Sequence, residues 1–101
     1  MKKGYKTPMQ KKFKRTGIYY VYILECSDGT YYTGYTNDIK NRVREHNNSK
    51  RGARYLRGKR PVRLVWRKKY RYYKLAVQEE RRIKNLRRWQ KERLIREYKR
   101  K

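Results

Sequence analysis

The feature that most constrains the fold is a stretch of apolar and aromatic residues interrupted by one turn. Residues 19–25 read YYVYILE, and the alternation of β-branched and aromatic side chains predicts a β-strand. Residues 27–29 read SDG, which is typical of a turn, and residues 30–35 predict a second strand. The folded part of the chain therefore opens with a β-hairpin.

The length of the turn decides which side chains share a face of this hairpin. A two-residue turn would place Tyr22 and Tyr32 on opposite faces. A three-residue loop at residues 27–29, with a left-handed glycine in third place and a bulge, makes them diagonal neighbours and sets Tyr22 opposite Gly34. Because Gly29 stands third, we predict the longer loop, with an open floor above Gly34 where a phosphate can approach.

Further elements follow the hairpin. Residues 36–38 offer helix-capping side chains before the helical sequence IKNRVREHNN, and residues 62–66 predict a third strand. Residues 74–98 predict either one long helix or two helices with a break at residues 85–87. The order ββαβα(α) predicts an α+β fold, a small three-stranded antiparallel sheet flanked by helices. We expect one domain at residues 17–98, a basic flexible arm at residues 1–16 and a basic tail at residues 99–101.

The charge of the chain indicates its partner. Lys and Arg number 33 against 8 Asp and Glu, which gives a formal net charge of +25, and such a surface is suited to a polyanion. We expect no membrane partner, because no apolar run is long enough to span a bilayer and no secretory signal opens the chain. The lone Cys26 excludes an internal disulfide and a cysteine metal site, and it suits a reducing cytosol. We expect a cytoplasmic, nucleoid-associated protein, a monomer or weak dimer, that binds nucleic acid.

Several spaced motifs in one order resemble the GIY-YIG nuclease family. They are YVY at residues 20–22, YTG at residues 32–34, Arg42 ten residues after Tyr32, and His46 four residues further on. The match is most similar to the small stand-alone bacterial members, because the chain also has a loop like KGARYLRG followed by RPVRLV. The resemblance covers roughly residues 18 to 95. The literal string Gly17-Ile18-Tyr19 is a decoy, because Tyr19 lies an odd number of residues from Tyr22 and points to the other face.

The chain also departs from the family pattern. Tyr20 stands in place of the first-motif glycine and Thr33 in place of isoleucine, and Tyr22 lies ten residues before Tyr32 where many relatives have eleven. The asparagine that many relatives place a dozen or more residues after the metal-binding glutamate has no match here. Catalytic activity therefore stays open at this stage.

The resemblance implies cleavage of phosphodiester bonds in DNA with one divalent metal, Mg²⁺ or Mn²⁺, and with no small-molecule cofactor. Tyr22 matches the general base, Tyr32 would hold water or phosphate, and Arg42 would clamp the scissile phosphate. His46 would orient the base or relay a proton, and we expect nearby cations to lower the pKa of Tyr22. Glu80 is the expected metal ligand, since it borders the apolar stripe of the last helical segment.

Six further cations and one glycine have a simpler expected role. Seven residues are predicted to contact the nucleic-acid backbone: Gly34, Lys50, Arg51, Arg54, Arg57, Lys59 and Arg60. Because no sizeable recognition module is visible, we expect structure-directed rather than sequence-directed cutting, in DNA repair or processing.

Ordinary explanations and other functions stay open beside this hypothesis. Tyr22 and Tyr32 would serve as packing residues, and Glu80 as an ion-pair partner for Arg81 or Lys84. Glu79 is the less favoured metal ligand. A non-catalytic RNA- or ribosome-binding protein on the same fold is the alternative function, and a toxin-like RNase is a third.

Overall fold

A computed structural model of the protein describes residues 14–100. These residues form three strands, three α-helices and one 3₁₀ helix, in this order: β1 (Thr16–Glu25), β2 (Tyr31–Thr36), α1 (Ile39–Asn48), the 3₁₀ helix (Arg54–Lys59), β3 (Arg63–Tyr72), α2 (Tyr73–Lys84) and α3 (Arg88–Lys99). The predicted α+β fold with the order ββαβαα is confirmed. Most of the predicted arm lies outside the described residues, and β1 begins at Thr16.

The hairpin joins β1 and β2 through the predicted three-residue loop. Gly29 takes a φ of +86°, the left-handed conformation that glycine adopts at no steric cost. Tyr22 pairs with Gly34, and Leu24 pairs with Tyr32, so the predicted register is confirmed. The turn is held further by the carboxylate of Asp28, which accepts hydrogen bonds from the Thr30 amide at 3.0 Å and hydroxyl at 2.6 Å.

The sheet has the order β2-β1-β3, with antiparallel pairing throughout. β1 is therefore the central strand, and its alternate residues serve two different layers. Tyr19, Val21 and Ile23 belong to the larger core, which contains residues of α2 and α3. Tyr22 and Leu24 belong to a second core on the opposite face, under α1 and the 3₁₀ helix. Tyr19 thus faces away from Tyr22, as predicted.

The structure corrects two of the sequence-based predictions and decides a third. Residues 54–59, predicted as part of a loop, form a 3₁₀ helix because Leu56 is buried in the second core. β3 extends to Tyr72 rather than ending at residue 66, since it continues to pair with β1. The final helical segment is two helices, separated at residues 85–87, which decides the alternative left open by the sequence. No helix among residues 14–100 is long and apolar enough to cross a bilayer.

Candidate active site

The phenol of Tyr22 lies directly over Gly34 of the neighbouring strand. A Cβ atom at position 34 would lie 2.6 Å from the Tyr22 hydroxyl oxygen and 2.7 Å from its ring carbon Cζ, well inside van der Waals contact. Only glycine therefore admits the ring at this position. The floor above Gly34 that the sequence predicts as open is occupied by Tyr22 itself, although Gly34 still lines the adjacent cavity.

The buried side chain of His46 forms a hydrogen bond with the Tyr22 hydroxyl. Its ring is 0% exposed; Nδ1 accepts a hydrogen bond from the Ala53 amide at 3.0 Å, and Nε2 lies 2.8 Å from the Tyr22 hydroxyl oxygen. Burial, reinforced by the charge of Arg42, lowers the pKa of His46 to about 4, so the ring is neutral at pH 7. Because Nδ1 accepts, the single ring proton is on Nε2, which donates to Tyr22. The hydroxyl hydrogen of Tyr22 is then directed elsewhere.

The titration of His46 should make the stability of the fold depend on pH. Its pKa is about 4 in the fold and 6.5 in the unfolded chain, so the unfolded chain binds more protons between these values. The free energy of unfolding should therefore fall as the pH drops from 6.5 towards 4, by on the order of 3 kcal/mol in full. Urea denaturation at pH 7, 6, 5 and 4 in the presence of chelator measures this loss.

The control for this prediction is His46→Gln, which has no titrating ring. The variant should be less stable at pH 7 and should show a flatter dependence between pH 6.5 and 4, because only the carboxylates that both proteins share still titrate. If wild type and variant lose the same free energy over this range, His46 is not the group responsible.

The pKa of Tyr22 is raised, not lowered as the sequence predicts. Burial of the phenol is the largest cause, the neighbouring Tyr32 adds to it, and the charge and hydrogen bond of Arg42 oppose it only in part. The prediction was wrong because it counted the cations near Tyr22 and not its position on the central strand, where it is 1% exposed. Tyr22 is therefore a protonated phenol at pH 7.

Arg42 reaches the same point from α1. The helix is capped by Asp38, whose side chain accepts from the Asn41 amide at 3.2 Å. Arg42 and His46 lie four residues apart and therefore on one side of α1. The guanidinium of Arg42 donates through Nη1 to Glu45 Oε1 and to the Arg51 carbonyl, both at 2.9 Å. These bonds hold Arg42 beside Tyr22 with its guanidinium at the cavity.

Tyr32 completes an aromatic cluster around His46. Its ring centroid lies 5.4 Å from that of His46 and 6.5 Å from that of Tyr22. On its outer side Tyr32 stacks against the exposed Tyr55, with the ring centroids 6.0 Å apart. The predicted diagonal neighbours on β1 and β2 thus do meet.

These side chains border one cavity of about 580 Å³, between β2, α1 and α2. Four of the five predicted catalytic residues line it, namely Tyr22, Tyr32, Arg42 and Glu80, while His46 lies behind Tyr22. Glu79 instead pairs with Arg82 at 2.7 Å, and the cavity lining does not include it. The geometry therefore favours Glu80 over Glu79.

The cavity also contains polar residues that the sequence reasoning missed. Asp38, Asn41 and Glu45 line it together with Asn37, and Glu45 holds Arg42. Residues 38, 41, 42 and 45 recur at helical spacing on one side of α1. That periodicity, centred on Arg42, is the signal that could have found them.

The cavity offers donors suited to a magnesium ion. Glu80 has a side chain 12% exposed, and the ion pair it forms is with Lys84, at 3.5 Å. No group of three or more His, Cys, Asp or Glu side chains among residues 14–100 forms a metal-binding cluster. Mg²⁺ does not require one, since it commonly takes one or two carboxylates and completes its shell with waters and substrate phosphates. The chemistry of the donors thus fits Mg²⁺ at Glu80.

The predicted backbone-binding cations after α1 divide into two groups. Arg60 donates to the carbonyls of His46 and Ser49, both at 2.6 Å, and Lys59 contacts Asp28 at 3.2 Å, so both tie loops together. The others are exposed: Lys50, Arg51, Arg54 and Arg57. Backbone binding stays a prediction for all six cations, and the contacts of Arg60 and Lys59 show a structural role for these two.

The three-stranded sheet with its flanking helices is also the fold of solved structures of similar proteins. A family model described as the GIY-YIG catalytic domain matches residues 18–93. The chain belongs to this family, and the resemblance predicted from its motifs is confirmed.

The relatives of the chain are small single-domain proteins. A UPF0213 protein of Halobacterium salinarum is 51% identical over 78 residues, which is 77% of this chain and 100% of the relative. The solution NMR structure of the UPF0213 protein BH0048 from Bacillus halodurans has 44% identity and a TM-score of 0.51, over 78% of this chain and 83% of that one. The NMR structure of the protein EF2693 from E. faecalis has 36% identity and a TM-score of 0.57, over 89% and 93%.

Proposed function

We propose that the protein is a metal-dependent endonuclease that hydrolyses phosphodiester bonds in DNA. The observation that carries the proposal is the convergence of the Tyr22 hydroxyl, the Arg42 side chain and the Glu80 carboxylate on one cavity of about 580 Å³. A phenol, a guanidinium and an acid are the groups that a hydrolytic attack on phosphorus requires. Membership of the GIY-YIG family supports this assignment.

Tyr22 is the proposed general base. The Nε2–H of His46 donates to the phenol oxygen, so it stabilises negative charge there and leaves the hydroxyl hydrogen free to point away from the ring of His46. Burial raises the pKa of Tyr22, and Arg42 opposes that effect. Tyr22 is a protonated phenol, so it would have to release its hydroxyl proton to solvent before it could accept one from the attacking water. Further positive charge in the cavity would favour that ionisation.

Arg42 is the proposed phosphate clamp. Its guanidinium is positioned by Glu45 and by the Arg51 carbonyl through the same nitrogen, Nη1. Arg42 also hydrogen-bonds Tyr22. The N–H groups that are left can donate to a phosphate oxygen, whose charge grows as the bond to phosphorus forms.

Glu80 is the proposed ligand of Mg²⁺ or Mn²⁺. The ion supplies positive charge against the phosphate and so favours both phosphoryl attack and ionisation of groups beside it. Tyr32 lines the cavity next to Tyr22 and is proposed to hold water or phosphate through its hydroxyl. Because the exposed cations nearby suit phosphates rather than bases, we propose structure-directed cutting in DNA repair or processing in the cytoplasm.

A cleavage assay with Arg42→Ala tests the proposal. Purified protein is incubated with plasmid, branched and single-stranded DNA in Mg²⁺, Mn²⁺ or chelator. We expect cutting that chelator stops, and about a 10²-fold slower rate for Arg42→Ala, the usual cost of removing one donor to a developing oxyanion. Lys40→Ala is the matched control, because Lys40 is exposed on the same helix and carries the same charge.

The outcomes of this assay separate the functions. Cutting that persists in chelator, or equal rates for both variants, would contradict the proposal. A second candidate, a non-catalytic nucleic-acid binder on this fold, is favoured by the raised pKa of Tyr22. Tight binding with no cutting in either metal would support it, and cutting of RNA substrates alone would indicate an RNase.

A further inference from the structure

A row of cations lies along β3, on the face of the sheet that carries Tyr22. Arg67 pairs with Tyr22 across the sheet, and Lys69 pairs with Tyr20. Directly paired residues point to the same face, so both cations lie on the face that carries Tyr22. Arg71 lies two residues further along β3, next to a register shift in the pairing with β1, and it extends the row along the strand. The guanidinium of Arg67 lies 5.5 Å from the centre of the Tyr20 ring, which confirms the orientation. We call Arg67, Lys69 and Arg71 the β3 stripe.

The β3 stripe has no acidic partner among the described residues. Seven of the eight carboxylates of the chain pair with cations elsewhere, and the eighth, Asp38, caps α1. All three side chains of the stripe are exposed. Alternate residues of a strand lie about 7 Å apart, so the stripe presents a line of three uncompensated positive charges.

The β3 stripe is close enough to the cavity for one ligand to reach both. β1 lies between β2 and β3, which places the stripe two inter-strand spacings from Gly34, roughly 10 Å. The second core, under α1 and the 3₁₀ helix, includes Leu24 and Leu56, and it does not include the stripe. A polyanion that leaves the cavity across Tyr20 therefore meets these three cations next.

We propose that the β3 stripe binds the sugar-phosphate backbone of the nucleic acid whose scissile phosphate occupies the cavity. The choice of this occupant follows from charge complementarity between a linear row of unpaired cations and a linear polyanion. The link to a scissile phosphate rests on the proposed function. Contacts of this kind read no sequence, but they fix the direction in which the strand crosses the sheet.

Cations on an edge strand also have an ordinary explanation. β3 is an edge of the sheet, and lysine or arginine side chains on such a strand discourage pairing with a second copy of the protein. That explanation predicts a change in self-association when the charges are removed, and no particular loss of affinity for nucleic acid.

Two triple variants with equal charge separate these roles. The stripe variant is Arg67→Gln, Lys69→Gln and Arg71→Gln. The control is Arg96→Gln, Lys99→Gln and Arg100→Gln, at exposed positions at the end of α3. Each variant removes three positive charges from the formal +25. Binding of a fluorescent DNA duplex is measured in chelator over a range of KCl concentrations, with thermal melts to verify folding and light scattering to detect self-association.

We expect the stripe variant to bind at least tenfold more weakly than the control at low salt. Its plot of log affinity against log salt should be less steep by about 1 for each phosphate that is no longer neutralised, or about 3 in total. Equal losses of affinity in the two variants would overturn the proposal, and so would unchanged affinity accompanied by self-association. Because binding is measured without metal, wild-type protein that binds but never cuts would refute the nuclease and leave the stripe standing.

Discussion

Tyr22→Phe should slow DNA cleavage by about 10³-fold, whereas Tyr19→Phe should leave the rate unchanged. Tyr19 belongs to the literal GIY string, yet its side chain lies in the larger core on the other face of the sheet. Tyr22 lines the cavity, and its hydroxyl is fixed by His46. The substitution removes one oxygen atom in each case, so only the position of that oxygen differs.

The two variants should both be less stable than wild type, by amounts that differ by at most about 2 kcal/mol. Tyr22→Phe leaves the Nε2–H of His46 buried without its acceptor, which costs about 1–3 kcal/mol. Tyr19→Phe removes the hydrogen bond that its hydroxyl donates to the Lys14 carbonyl, a net loss of about 1 kcal/mol. If both variants are folded under the assay conditions, a large difference between their cleavage rates reflects the role of the hydroxyl in the reaction and not a loss of folded protein.

Single-turnover nicking of plasmid DNA gives the rates, and urea denaturation gives the stabilities. The assignment of the motif tyrosine would fail if Tyr19→Phe were the inactive variant. The role of Tyr22 as base would fail if Tyr22→Phe cut at the wild-type rate.

Glu80→Gln should reduce metal-dependent cleavage by on the order of 10³-fold or more, because the loss of a ligand charge costs several kcal/mol at the transition state. Glu79→Gln is the control and should retain activity. The Glu79 carboxylate is held by Nε and Nη2 of Arg82 at 2.9 and 2.7 Å, whereas Glu80 lines the cavity. Both substitutions change one carboxylate to an amide on the same helix.

Measurements of affinity and of metal dependence complete this experiment. In chelator, Glu80→Gln should bind DNA at least as tightly as wild type, because the substitution removes a negative charge from the cavity in which the scissile phosphate is proposed to bind. Its rate should respond only weakly to Mg²⁺ or Mn²⁺ concentration. Wild-type response to metal in Glu80→Gln, or equal loss of rate in Glu79→Gln, would rule out Glu80 as the ligand.

Local sequence rules were sufficient for the parts of the site that lie close together along the chain. Gly29 in third place of the loop predicted the hairpin register, and that register brought Tyr22 and Tyr32 to one face. The spacing of four residues between Arg42 and His46 placed both on one side of α1. In each case the geometry is set by a turn or a helix of a few residues.

Features that depend on distant contacts were not predictable in the same way. The direction of the Tyr22 pKa shift follows from burial by α1 and the 3₁₀ helix, neither of which is visible in the local pattern around residue 22. The sequence did not predict that β3 continues through residues 67–72, because RKKYRY is rich in charged residues and lacks an apolar alternation. Pairing with β1 stabilises this part of the strand. Glu45 was missed because its significance comes from Arg42, the group it positions.

The pairing of β1 with β2 limits where the hairpin can accept an inserted residue. Side chains alternate between the two faces along each strand, and this alternation places Tyr22 and Tyr32 at the cavity. One residue inserted within a strand would move the side chains that follow it in that strand to the opposite face. An insertion at residues 27–29, beyond the paired segment, would leave this register unchanged. In relatives whose second tyrosine lies eleven residues after the first, we therefore expect the extra residue in the turn rather than in a strand.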